Sequence, residues 1–162
     1  PATTPYPHSI NRCYRDLLFH GPELEGLLGI HGVSDTAIIV ESRSAPPPAA
    51  WLRRPLRDCW VSDPLAIDGA FQAFILWSRH RFNAPSLPTG FESYRQFVAA
   101  FPEDGVRVTA RIRRSSELGA VADVDFVSSA GVLVARMEGA SFAIDAALNA
   151  SFRRNGLEPA VS

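Results

Sequence analysis

The sequence predicts an α+β domain in which an antiparallel sheet wraps around one long, almost wholly apolar helix. Three observations lead there. A capped segment over residues 63–82 holds only two polar side chains between residues 65 and 77. Four segments after it alternate apolar and polar residues, and two short apolar runs before it are joined by Ser34-Asp35. A helix apolar on every side needs cover on every side, which a curled sheet provides.

Taken in order, residues 1–12 are rich in Pro, Thr and Ser and read as a lead-in or linker, with the domain itself over 13–150 and a frayed tail over 151–162. The runs 27–33 and 36–42 read as a hairpin. Residues 43–57 contain Ala-Pro-Pro-Pro-Ala-Ala, where consecutive prolines lack backbone donors and force extended neighbours, so a surface loop is expected. Ser62-Asp63 then offers a capping side chain, Pro64 fits a first helical turn, and the helix is expected to end between 82 and 85. Past Leu87-Pro88, strands are expected over 91–98, 105–113, 120–128 and 132–144, with turns at 102–105, 115–116 and 129–131.

At 162 residues and 46% hydrophobic content, the chain is about one globular domain. A net charge of -1 supplies no field for nucleic acid or an anionic membrane, so neither is an expected partner. All 16 basic residues are arginine. Cys13 and Cys59 lie far apart with no C-x-x-C spacing, which fits a reducing, cytoplasmic setting. No apolar stretch reaches the length of a membrane span, and no basic region precedes an apolar run at the start. The first residue is Pro rather than Met, which suggests a piece of a longer polypeptide. No convergent His, Cys or acidic cluster predicts a metal.

Asp68 and Gln72 are the two polar residues inside the apolar helix, and four-residue spacing places them on one face. Burying an unpaired ionised carboxylate costs on the order of several kcal/mol, so a carboxyl there tends to hold its proton and can serve as a general acid. Gln72 has a donor and an acceptor with which to orient that carboxyl or a water. Gly69, costing about 1 kcal/mol against alanine in a helix interior, implies close approach to the backbone, a substrate being one candidate. Bonds to neighbouring strands or a dimer contact account for Asp68 and Gln72 about as well. Phe71, Phe74, Ile75 and Trp77 read mainly as core, and the arginines at 53, 54, 79, 81, 113 and 114 mainly as solvated surface.

The stretch Trp60-Val61-Ser62-Asp63-Pro64-Leu65-Ala66-Ile67-Asp68-Gly69-Ala70-Phe71-Gln72 closely resembles the D-P-x-x-x-D-x-x-x-Q/H signature of the second hot-dog repeat in dehydratases of polyketide and polyunsaturated-fatty-acid synthases. Upstream, the segment from Tyr14 through His20-Gly21-Pro22 to Leu24 is similar to that family's Y-G-P-x-F element; downstream, Leu87-Pro88 falls where the family has L-P. His20 stands where the family has tyrosine, and Leu24-Glu25 where Phe-Gln is common. The resemblance implies the C-terminal half of a double hot-dog that dehydrates a β-hydroxyacyl thioester. Asp68 and Gln72 are its implied catalytic residues, and Tyr14, His20, Gly21, Pro22, Gly69, Leu87 and Pro88 its implied substrate contacts. No cofactor is implied, only a substrate carried on the phosphopantetheine of an acyl carrier protein.

In that family the α-proton is taken by a histidine within H-x-x-x-G-x-x-x-x-P of the first repeat. None of His8, His20, His31 or His80 has glycine four residues later, so the base is expected from an N-terminal hot-dog or from a second copy in a homodimer. Two other readings stay open: a noncatalytic acyl-binding or scaffolding hot-dog, and a hot-dog thioesterase in which the acid activates water.

Overall fold

The computed structural model describes residues 1–150; the tail expected over 151–162 lies outside the described residues. Among those described, α1 (Ile10–Asp16) and a 3-10 turn (Pro22–Leu24) precede the hairpin β1 (Leu27–Ser34) and β2 (Ala37–Ser42). A short α2 (Pro48–Trp51) and the long α3 (Pro64–Phe82) follow, then β3 (Ser86–Gly90), β4 (Ser93–Gln96), β5 (Val106–Ser116), β6 (Gly119–Val127) and β7 (Leu133–Ile144). The strands form one antiparallel sheet in the order β1-β2-β5-β6-β7-β3, with β4 also pairing β7.

The sheet curls around α3, as the apolar helix requires. Leu65, Ala66, Ala70, Ala73, Phe74, Leu76 and Trp77 are all buried, and the inner faces of the strands supply Val40, Val108, Val124, Phe126 and Met137 against them. Helix boundaries follow the local chemistry. Asp63 is the N-cap, its Oδ1 accepting from Ala66 N at 2.8 Å, while its other oxygen accepts from Ala45 N and so anchors the proline-rich loop. Arg79, His80 and Arg81 occupy the last turn, where cations suit the dipole, and Asn83 closes the helix in the left-handed region at φ 55°.

Inside-outside alternation on β7 changes parity along its length: Ala135 and Met137 face inward, then Ala140, Phe142 and Ile144. Gly139, at φ 63°, makes that change, and its N–H is taken by Asp123 Oδ1 at 3.0 Å. On the outer face, Asp125 accepts from Arg111 and Arg136 at 2.6 Å each. Burial alone would raise the Asp125 pKa, but those two guanidiniums outweigh it and hold the carboxyl below its ordinary value.

The structure revises three expectations. Residues 1–12, expected as a lead-in, lie against the domain: Thr4 bridges Val33, Tyr6 donates its hydroxyl to Leu76 O at 3.0 Å, and α1 begins at Ile10. The Ser9 side chain capping α1 was the available signal in the sequence. The loop over 43–57 contains the single turn of α2, with Trp51 and Trp60 rings 5.8 Å apart. The strand expected over 91–98 is the shorter β4 (Ser93–Gln96), and β3, just before it where no strand is expected, also pairs with β7; β3 includes Pro88, which an edge strand tolerates because no ladder donor is needed there.

Candidate active site

Asp68 and Gln72 lie on one face of α3, and the structure gathers Tyr14 and His20 around them. The Gln72 side chain is fully buried, and its Nε2 donates to Asp68 Oδ2 and to the carbonyl of Leu24, each at 2.7 Å. Its Oε1 accepts from the Tyr14 hydroxyl at 2.7 Å, and that hydroxyl in turn accepts from Leu27 N at 2.7 Å. Burial pushes the Tyr14 phenol well above its ordinary pKa, so it keeps the proton it donates. Asp68 is the end of this chain that meets the surface: its side chain is 27% exposed, against 6% for His20.

His20 Nε2 stands 3.5 Å from Asp68 Oδ2, at the far limit of a hydrogen bond. The ring stacks on Phe19 at 4.4 Å, and its buried Nδ1 has no hydrogen-bond partner among the described residues. Burial lowers the His20 pKa; the Asp68 charge opposes this but does not overcome it. The imidazole is therefore neutral near pH 7. A histidine with a depressed pKa resists protonation in the folded state while the unfolded chain takes up a proton near pH 6.5, so this group's contribution to stability is present above about pH 6.5 and is lost as pH falls below it. The urea midpoint of the parent is expected to drop between pH 7.5 and 5.5 by more than that of His20→Gln. Equal drops in the two proteins would show that another group governs acid sensitivity.

The remaining predicted contacts have different neighbours. Gly21 and Pro22 shape the 3-10 turn: Pro22 opens it, Gly21 O accepts from Leu24 N, and the turn aims the Leu24 carbonyl at Gln72. Gly69 faces the sheet. A Cβ there would lie 2.7 Å from Ser42 Oγ and 3.2 Å from Ser42 Cβ, so the close approach inferred from its glycine is that of β2 rather than of a substrate. Gly69→Ala is accordingly expected to destabilise the fold by about 1–2 kcal/mol, overpacking outweighing the gain in helix propensity. An unchanged or higher urea midpoint would contradict this. Leu87 and Pro88 pair with Ala143 and Phe142 of β7, and Phe142 stacks on Phe74 at 3.6 Å; no polar contact joins them to the Asp68 chain among the described residues.

Two participants in the site carry no signature in the sequence: the N–H of Leu27 and the carbonyl of Leu24 are backbone groups. His31, on β1, contacts Glu41 at 3.1 Å, and His80 lies against Tyr6. Among the described residues no group of His, Cys, Asp and Glu is arranged to hold a metal ion, and no helix is long and apolar enough to cross a membrane.

Residues 1–144 match the family model described as "Polyketide synthase dehydratase N-terminal domain". The chain belongs to the polyketide synthase dehydratase family. No protein of curated function matches this dehydratase-family chain by sequence. Among solved structures it is similar to the dehydratase domain of a mycocerosic acid synthase-like polyketide synthase, with TM-score 0.66, 17% identity, and coverage of 88% of this chain and 54% of that one. The dehydratase domain from the CurF module of curacin polyketide synthase gives 0.65 at 20% identity, over 86% of this chain and 49% of that one. AziG of S. sahachiroi gives 0.56 at 17% identity, over 76% of this chain and 96% of that one. These likenesses establish the hot-dog fold that the family resemblance implies, with its sheet around one apolar helix. The chain spans about half the length of the solved dehydratase domains it matches. The family description names an N-terminal domain, so it does not support the C-terminal placement that the D-P-x-x-x-D-x-x-x-Q signature implies.

Proposed function

We propose that this chain is the aspartate-bearing, C-terminal hot-dog of a dehydratase acting on a β-hydroxyacyl thioester carried by the phosphopantetheine of an acyl carrier protein. It works in the cytoplasm and needs no metal or cofactor of its own. Asp68 gives its proton to the β-hydroxyl as the carbon–oxygen bond breaks. A histidine base on another hot-dog takes the α-proton, the released electron pair forms the double bond, and water leaves. The observation that carries this reading is the carboxyl of Asp68, bonded by a buried amide on one oxygen and partly exposed within the apolar N-terminal part of α3.

His20 does not supply the α-proton base in this scheme. Its ring is almost wholly enclosed, and Nε2 is turned to Asp68 rather than outward. The base therefore comes from an N-terminal repeat or a second copy, and β1, the strand at one end of the sheet, offers the part of its edge away from the Thr4–Val33 bridge for another sheet to continue.

The test is product analysis with a β-hydroxyacyl carrier protein and the parent polypeptide containing both hot-dogs. Enoyl thioester formed by the parent and lost in Asp68→Ala supports the proposal. Free acid as product would assign a thioesterase instead, and no turnover by the parent would assign an acyl-binding scaffold. Order of the halves is read from the parent coding sequence: H-x-x-x-G-x-x-x-x-P before Pro1 supports the C-terminal placement, and the same motif after Ser162 overturns it.

A further inference from the structure

We infer that Tyr14 is a positioning residue for Asp68, acting through Gln72 by fixing which end of the amide faces the carboxyl and hence which carboxyl oxygen carries the transferable proton. This inference rests on the reading of Asp68 as general acid. It follows from the polarity of a hydrogen-bonded chain that branches at Gln72, with Asp68 on one branch and backbone groups at its other two ends. Leu27 N can only donate, so the Tyr14 oxygen accepts from it and the Tyr14 proton is left for Gln72. Leu24 O can only accept, so the Gln72 atom facing it is the NH2 group. The amide therefore has one allowed orientation, with Oε1 toward Tyr14 and Nε2 toward both Leu24 O and Asp68 Oδ2. A flipped amide would set a lone pair against the Leu24 carbonyl and another against the carboxyl, inside a site where Gln72 is fully buried.

Consequences for the acid are specific. Oδ2 is held as an acceptor by Gln72 Nε2 at 2.7 Å, with His20 Nε2 also on its side at 3.5 Å. A proton on Asp68 therefore resides on Oδ1, and that oxygen serves the leaving hydroxyl. Tyr14 makes none of these contacts with the carboxyl itself; its hydroxyl has its donor and one acceptor site taken by Gln72 and Leu27. Sequence alone suggested Tyr14 as a substrate contact, whereas the structure assigns its hydroxyl to the amide.

The experiment is a double-mutant cycle in the parent dehydratase, with Asp68→Ala as a separate control. Tyr14→Phe is expected to lower kcat about 10- to 100-fold, the scale of a small misplacement of a catalytic group, with KM within about twofold of the parent. Gln72→Ala should give a similar loss, and Tyr14→Phe made in the Gln72→Ala background should cost no more than a further factor of about 3, because the relay is already cut. Losses that multiply in the double variant, or a Tyr14→Phe enzyme within about twofold of parent kcat, would overturn the inference. If Tyr14→Phe does not fold, Gln72→Glu carries the test: it keeps the shape and the acceptor for Tyr14 but removes both amide donors, and parent-like kcat at pH 7 would equally overturn it. Should Asp68→Ala retain activity, the general-acid reading fails first, and that result is distinct from additivity in the cycle.

Discussion

Asp68→Asn in the two-hot-dog parent is expected to lower the rate of dehydration by about 10²- to 10⁴-fold, the usual contribution of a positioned general acid. The substitution is nearly isosteric, and an amide oxygen in place of Oδ2 still accepts the Gln72 Nε2 bond. What it lacks is a transferable proton for the departing hydroxyl. Stability should therefore change little, since the side chain is 27% exposed and keeps its principal partner. The two readouts separate cleanly: enoyl product measured by mass spectrometry against the urea midpoint of the same preparation. Turnover at the parent rate with an unchanged midpoint would remove Asp68 from the chemistry and leave only the family's fold.

Much of this site was legible in the sequence because its polar groups interrupt an apolar pattern. Two polar residues four apart in residues 65–77 identify one helical face, and capping by Asp63 with Pro64 after it fixes where that helix begins. Proximity of His20 and Tyr14 to that face was suggested by resemblance, but their partners could not be read from side-chain types. The Tyr14 hydroxyl and the Gln72 amide are anchored by Leu27 N and Leu24 O, groups that every non-proline residue has. Gly69 shows the converse case. Its glycine correctly announced a close approach, yet only the curled sheet reveals that Ser42 of β2 makes it. No strand is expected over β3 because Pro88 and Gly90 are poor strand formers, whereas at the sheet edge their missing donor or side chain costs little.

Trp77→Ala is expected to remove about 3–5 kcal/mol of stability, the range for deleting a large aromatic from a packed core. Trp77 is 1% exposed, its indole stands edge-on to Phe82 at 5.8 Å, and its Nε1 donates to Ser34 O at 3.1 Å. That bond ties the C-terminal part of α3 to the end of β1, where the hairpin turns. Trp77→Phe keeps most of the volume and loses only the bond, so a cost of about 1 kcal/mol is expected for that part. Trp77 follows Asp68 by nine residues, about 14 Å along the helix, so the two variants probe different ends of one element. Under native conditions the folded fraction of Trp77→Phe should dehydrate substrate at close to the parent kcat, while Asp68→Asn stays folded and inactive. Were Trp77→Phe to lose activity as steeply as Asp68→Asn without losing stability, the far end of the helix would belong to the acyl site as well. The division of α3 into a chemical half and a structural half would then be wrong.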